Sequence, residues 1–295
     1  TPWKDFKDHV EAMAFWPQTG IADRSVWHFH PLQFIRHYRR CRWLSLDERI
    51  ACLPTGNGVL GFQAMRDRFT TGTNTQRQIF PPNMHVSLNK VVAKYCIDSK
   101  LRMAHFFGQV SLESDRLQTV REYASGNAYD MATNPEKARE LGNTQPGDGP
   151  RFKGRGLIQM TGRTNYSNYG SYRNRNYTRD PNNLLLQSDS FVACDASGFY
   201  WVAELTRDRT RNPPGSRRTY RWVLDGLTNI NTRADNKTFQ SLGQGAQVDT
   251  DVLNVTLQIN RAALHIDERR TFFKAAYFQL SDELTPSQGI NNLRP

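Results

Sequence analysis

AHFFGQVSLESDRLQTVREYASG, residues 104–126, and GNTQPGDGPRFKGRGLIQMTGRTNY, residues 142–166, decide how this chain is read. In the first stretch Ala104, Phe106, Phe107, Val110 and Leu112 fall close to i, i+3, i+4 spacing, which predicts a buried helix. Glu113 stands at the edge of that apolar stripe, so its carboxyl is expected to be partly desolvated, a setting that keeps a general acid protonated near neutral pH. Glu122 follows nine residues later. On an unbroken helix nine residues rise about 13 Å and turn the two side chains in opposite directions, so the helix must end between them if they share a cleft. Arg116, Thr119 and Arg121 give no decisive stop, whereas Tyr123-Ala124-Ser125-Gly126-Asn127 has the composition of a turn.

The second stretch changes the weight of that pair. Taken alone, two nearby glutamates are surface charges. Phe152-Lys153-Gly154-Arg155-Gly156-Leu157-Ile158-Gln159-Met160-Thr161-Gly162, however, sets three glycines and two cations around a short apolar core. Glycines there allow close backbone approach or a positive φ, and both suit the floor of a cleft. The order of residues is not that of a phosphate-binding loop.

FFGQVSLES (106–114), REYASG (121–126), GDGPRFKGRGLIQMTGRTNYSNYG (147–170) and DGLTNIN (225–231) together resemble the catalytic domain of glycoside hydrolase family 19, the chitinase and endolysin family with a lysozyme-like fold. The resemblance covers roughly residues 75 to 285 and points to the bacterial and phage branch that cleaves peptidoglycan. It implies Glu113 as general acid, Glu122 as general base and Thr161 as holder of the attacking water, with Tyr123, Gln159, Asn165 and Asn231 contacting sugar. Two departures stand out: Leu112 precedes Glu113 where the family commonly has His, and Thr232-Arg233 replaces a common Gly-Gly. The implied reaction inverts the anomeric centre of a β-1,4 bond between MurNAc and GlcNAc, for which the carboxyls stand roughly 6.5 to 9.5 Å apart. It needs no metal and no organic cofactor. A chitinase acting on GlcNAc polymers and a wall-binding module without catalysis remain the alternatives.

The implied fold is mainly α, of the α+β lysozyme-like kind: a helical domain with a small β element near Arg151 to Met160 at the cleft. The expected organisation is a helical extension and connector over 1–74, the hydrolase-like domain over 75–285 and a tail over 286–295. Within the extension, the apolar positions from Trp3 to Trp16 predict a short amphipathic helix or docking arm, LQFIRHYRRCRWL a helix, Ser45-Leu46-Asp47-Glu48 a capping box, and 62–82 a polar connector. Val26-Trp27-His28-Phe29-His30-Pro31 resembles a lead-in to the peptidoglycan-hydrolase domains of bacterial type VI secretion effectors. That resemblance implies an immunity protein and secretion-apparatus proteins as partners, synthesis in the bacterial cytoplasm and action in the periplasm of a target cell. No signal peptide is evident, and with Thr1 first the chain reads as a piece of something longer.

Further along, helix is expected from Val86 to Leu112 with a break near Asp98-Ser99-Lys100, over 134–141 with Gly142 as cap, from Ser190 to Leu205, and from Asp251 to Leu280. Glu136 and Glu140 read as a solvated face, Asp148 as a turn residue, and Arg207 to Arg218 as a basic loop. Tyr166, Tyr169, Tyr172 and Tyr177 read either as sugar-stacking platforms or as half-packed surface rings.

The net charge of +11 predicts attraction to anionic polymers, among them the carboxylate-bearing bacterial wall. No helix-turn-helix, zinc-finger or RNP pattern accompanies that charge, which argues against nucleic acid as the partner. No run of eighteen or more apolar residues is present, which argues against membrane insertion. Cys41, Cys52, Cys96 and Cys194 form no CxxC pair and read as buried free thiols rather than as zinc ligands; His28 and His30 lack a third ligand.

Overall fold

The computed structural model describes residues 2–12, 43–56, 58–207, 220–223, 230–235, 245–260 and 262–281. The Trp27–Pro31 segment with its two histidines, the helix expected around Arg36 to Arg40, Cys41, the basic loop from 208, most of DGLTNIN and the tail lie outside the described residues. The chain divides into two compact units, Thr1–Tyr38 and Arg39–Pro295. Helix α1 (Pro2–Ala12) represents the first and carries the i, i+4 pairs Lys4–Asp8 and Lys7–Glu11 on exposed positions.

The second unit is mostly helical, with small β elements. Its helices are α2 (Leu46–Ala51), α3 (Phe62–Thr70), α4 (Met84–Lys94), α5 (Lys100–Glu113), α6 (Pro135–Leu141), α7 (Asp148–Arg151), α8 (Arg163–Arg173), α9 (Leu185–Ser188), α10 (Ser190–Val202), α11 (Ile230–Ala234), α12 (Gly245–Ile259) and α13 (Ile266–Leu280). Antiparallel ladders pair β1 (Thr73–Asn74) with β2 (Ile79–Phe80) and β3 (Glu204–Arg207) with β4 (Tyr220–Val223). The connector expected over 62–82 is therefore α3 and a hairpin. Met65 and Phe69 on α3 are buried at helical spacing, and Phe69 meets Phe80 edge-on at 5.6 Å between centroids.

Helix α5 is central. Ser99 caps it by accepting from the Arg102 amide (3.1 Å), which places the break at the expected point. Met103, Ala104, Phe106, Phe107 and Val110 are all buried, and the Phe106 ring stands edge-on to Trp201 of α10 at 5.1 Å. Along its other side α5 packs on α13. Gly108 permits that contact, because a Cβ there would lie 3.2 Å from the Arg269 carbonyl and 3.3 Å from the Phe273 amide.

Polar side chains lock the remaining elements around this core. The Asn89 amide on α4 accepts from the Leu44 N–H (3.1 Å) and donates to the Leu44 carbonyl (2.7 Å), which ties the chain before α2 into the core. The Ser45 capping box forms as expected, with Glu48 as its reciprocal partner. On α10 the buried carboxylate of Asp195 faces Lys94 (2.6 Å) and Arg173 (3.4 Å) and accepts from the hydroxyls of Tyr95 (3.0 Å) and Tyr169 (2.8 Å). Two cations and two hydroxyls compensate one buried charge, and α4, α8 and α10 are held together by it.

The aromatic run on and just after α8 serves the core. Tyr166, Tyr169 and Tyr177 are fully buried, which removes them as sugar platforms; Tyr172 is partly exposed and stacks on Phe199 at 5.1 Å. Cys52 and Cys194 are buried free thiols as expected, whereas Cys96 is free but exposed. Among the described residues no helix is long and apolar enough to cross a membrane.

His105 is buried on α5, with its ring 4.3 Å from that of Phe273 and its Nδ1 without a partner among the described residues. Burial pushes its pKa down to about 3. The unfolded chain protonates this imidazole near pH 6.5 and the folded chain does not. Between those values the unfolded state binds more protons, so stability present above pH 6.5 is lost as the pH falls toward 3. His105→Leu is expected to flatten the dependence of unfolding free energy on pH in the acid range by up to about 1.4 kcal/mol per pH unit. Urea titrations across that range check it, and an unchanged slope would exclude His105 as the cause.

Candidate active site

Glu113 is the last residue of α5, and its carboxyl is partly buried, with 18% of the side chain exposed. A carboxylate at a helix C-terminus lies at the negative end of the helix dipole and needs a compensating cation. Arg269, the fourth residue of α13, supplies it: Nη2 donates to Glu113 Oε1 at 2.5 Å. The same guanidinium donates through Nη1 to Gln109 Oε1 (2.5 Å) and through Nε to the Leu264 carbonyl (3.0 Å). Gln109 in turn donates to Thr256 Oγ1 on α12 (2.9 Å). Glu113 is thus held by a buried chain of side chains from three helices.

The helix ends directly after Glu113 in an unusual way. Asp115, Arg116 and Leu117 have φ angles of 50°, 59° and 62°, three successive non-glycine residues in the left-handed region. Leu117 is buried, and the Gln118 amide donates back to the Ser114 carbonyl (3.0 Å). The chain then becomes extended. The Val120 amide donates to the Ile79 carbonyl (2.7 Å), the Gly156 amide to the Val120 carbonyl (2.9 Å) and the Glu122 amide to the Gly154 carbonyl (2.9 Å). Arg155 and Met160 exchange both backbone bonds. These bonds build the small β element expected near Arg151 to Met160, and Glu122 stands on it.

Both Glu122 oxygens accept hydrogen bonds, Oε1 from the Tyr129 hydroxyl (2.9 Å) and Oε2 from the Gly154 amide (2.9 Å), an arrangement that suits the carboxylate. Burial, with the Glu122 charge, pushes Tyr129 up to about 12, so its hydroxyl stays a donor. The glycine at 154 is what brings the backbone this close: a Cβ there would lie 2.7 Å from Gln159 Oε1 and 3.3 Å from Glu122 Oε2.

Glu113, Glu122, Tyr123, Tyr129, Gln159 and Thr161 line one hollow of about 500 Å³. An adjoining hollow of about 580 Å³ shares Glu113, Tyr129, Gln159 and Thr161 and continues past Asn165, Tyr200 and Asn260. The two acidic groups therefore share a groove. Thr161 Oγ donates to the Gln159 carbonyl (2.8 Å), so its lone pairs are left to accept. Gln159 has a φ of 55° in a tight turn closed on Gly156, and Asn165 Nδ2 donates to the Thr161 carbonyl (2.7 Å). Tyr123 is 43% exposed, with the Arg77 guanidinium 5.1 Å from its ring centroid.

Asn231 does not join them. It is 4% exposed, and its amide accepts from Trp201 Nε1 (2.8 Å) and donates to the Tyr95 carbonyl (2.9 Å). Both ends of the side chain are used inside the core, so the sugar contact expected of it is corrected to a packing role. Asp148, read as a turn residue, does close a turn, its Oδ2 accepting from the Gln145 amide (3.0 Å), and it is buried and paired with Arg163. Glu140 is exposed as expected and pairs with Lys137 (3.0 Å) at the edge of the larger hollow. Arg269 and Tyr129 are the site residues that motif reading passed over. Among the described residues no group of three or more His, Cys, Asp or Glu is placed to hold a metal ion.

No known family profile matches the chain. Among solved structures it is similar to a variant of chitinase C, with 16% identity, coverage of 83% of this chain and 96% of that one, and a TM-score of 0.48. It is also similar to chitinase C from Streptomyces griseus HUT6037 (18%; 79% and 98%; 0.47) and to a bacterial family 19 chitinase (17%; 75% and 95%; 0.46). At identities of 16–18% and TM-scores of 0.46–0.48 these likenesses carry no functional conclusion, and the functional reading rests on the side chains of the groove.

Proposed function

We propose that this protein is a glycoside hydrolase that cleaves β-1,4 bonds of peptidoglycan with inversion. The observation that carries the reading is the pair Glu113 and Glu122 in one groove with unlike surroundings. Glu122 accepts from two donors and is held as the base. Glu113 has one oxygen against Arg269, and in the acid form its proton sits on the other, from which it passes to the leaving glycosidic oxygen. Water lying between Glu122 and Thr161 attacks the opposite face of the sugar ring, and the Thr161 oxygen accepts one of its hydrogens. Tyr123, Gln159 and Asn165 hold the glycan along the groove.

The net charge of +11 favours an anionic wall over uncharged chitin and makes association weaker in high salt. The finer role of a type VI secretion effector, with an immunity protein and action in the periplasm, rests on the resemblance of the Trp27–Pro31 segment alone. Mass analysis of muropeptides released from purified sacculi, run beside chitin oligomers, tests the activity. The expected result is soluble fragments with a new reducing-end MurNAc or GlcNAc and little turnover of chitin. Efficient cleavage of chitin without release from sacculi would replace the reading by a chitinase, and wall binding without new reducing ends would replace it by a binding module.

A further inference from the structure

We infer that Arg116 is a positioning residue, which clamps the left-handed turn between Glu113 and Glu122 and so sets how the two carboxyls face each other; the inference rests on their proposed roles as acid and base. Three successive L-residues with positive φ do not persist on their own, and such strain is held only where the surroundings over-determine it. The surroundings here are specific. Arg116 donates through Nη2 to Glu268 Oε2 (2.6 Å) and through Nη1 to Asp115 Oδ1 (3.0 Å). Asp115 Oδ2 accepts from the Tyr123 hydroxyl (2.7 Å), and Glu268 Oε1 lies 3.0 Å from His265 Nδ1. Gly58 closes over the guanidinium, since a Cβ there would lie 3.0 Å from Arg116 Nε.

The ends of this chain of contacts explain its purpose. At one end Glu268 precedes Arg269, the residue that grips Glu113. At the other Tyr123 follows Glu122. The Arg116 network therefore engages the neighbour of the residue that holds Glu113 at one end and the neighbour of Glu122 itself at the other. A fixed turn of this kind does for the pair what a longer insertion would leave loose: it removes rotational freedom between acid and base. Displacement of a reacting group by about 1 Å can cost as much as 10²-fold in rate, so the turn has leverage on turnover rather than on glycan affinity.

Crystal structures of wild type, Arg116→Ala and Arg116→Lys, with kcat and KM on soluble glycan fragments, test the inference. In Arg116→Ala the separation of the two carboxyl carbons is expected to change by about 1 Å and kcat to fall roughly 10- to 100-fold, with KM within about twofold. Lysine, which keeps one charged donor to Glu268, is expected to restore part of kcat. Glu268→Gln weakens the same clamp and serves if the alanine variant does not fold. Superimposable carboxyls with unchanged kcat would overturn the inference and leave the acid and base roles standing. Full activity of Glu113→Gln or Glu122→Gln would instead remove those roles, while the measured separation would still decide whether Arg116 fixes the turn.

Discussion

Glu113→Gln is expected to lower kcat on purified peptidoglycan by about 10²- to 10⁴-fold, the range a general acid contributes, with the fold preserved. The amide has the size of the carboxyl, and its oxygen still accepts from Arg269, so the buried chain through Gln109 and Thr256 survives. It carries no acidic proton for the leaving oxygen. Release of reducing ends, measured alongside a circular-dichroism melt, checks both halves; turnover at the wild-type rate would strip Glu113 of its role. Glu122→Gln is a less clean probe. Both Glu122 oxygens face donors, so an amide NH₂ must meet either the Tyr129 hydroxyl or the Gly154 N–H, and lost activity there mixes chemistry with local rearrangement.

Arg269→Ala should produce the largest change in stability. The side chain is 3% exposed and donates to three acceptors. Its removal leaves a partly buried carboxyl and the Gln109 oxygen without their donor, and breaking a buried ion pair from one side costs about 3–5 kcal/mol. At about 2–4 °C per kcal/mol for a domain of this size, the melting midpoint should fall on the order of 10 °C. Arg269→Lys is expected to recover only part of this, since a single ammonium cannot reproduce the planar fork. Calorimetry decides it: a midpoint within 2 °C of wild type, against the expected ~10 °C, would mean that the network does not hold α5 to α13.

The helices and the paired glutamates were legible because their signals are local. Apolar spacing marks α5 and α10, Ser45 and Glu48 write out a capping box, and Asn134-Pro135 with Gly142 brackets α6. The need for a break between Glu113 and Glu122 followed from helix geometry, but its form did not. Asp115 tolerates positive φ but Arg116 and Leu117 do not favour it, and the contacts that hold the turn come from residues as far away as Glu268. Arg269 was missed for the same reason, although a signal existed: it lies on the stripe Ile266, Arg269, Phe273, Ala276, where a charged residue among apolar ones asks for a buried partner. Asn231 was misplaced because a motif match reports identity, and only packing shows that Trp201 and the Tyr95 carbonyl have already taken both ends of its amide.

Arg269 comes 156 positions after the glutamate it grips. A chain emerging from a ribosome therefore has both acidic side chains in place long before the guanidinium that steadies one of them exists, and closing so wide a gap is a late, entropically costly event. The groove is completed only when the helix carrying Arg269 docks, so Glu113 goes without its cation until the chain has been made at least that far.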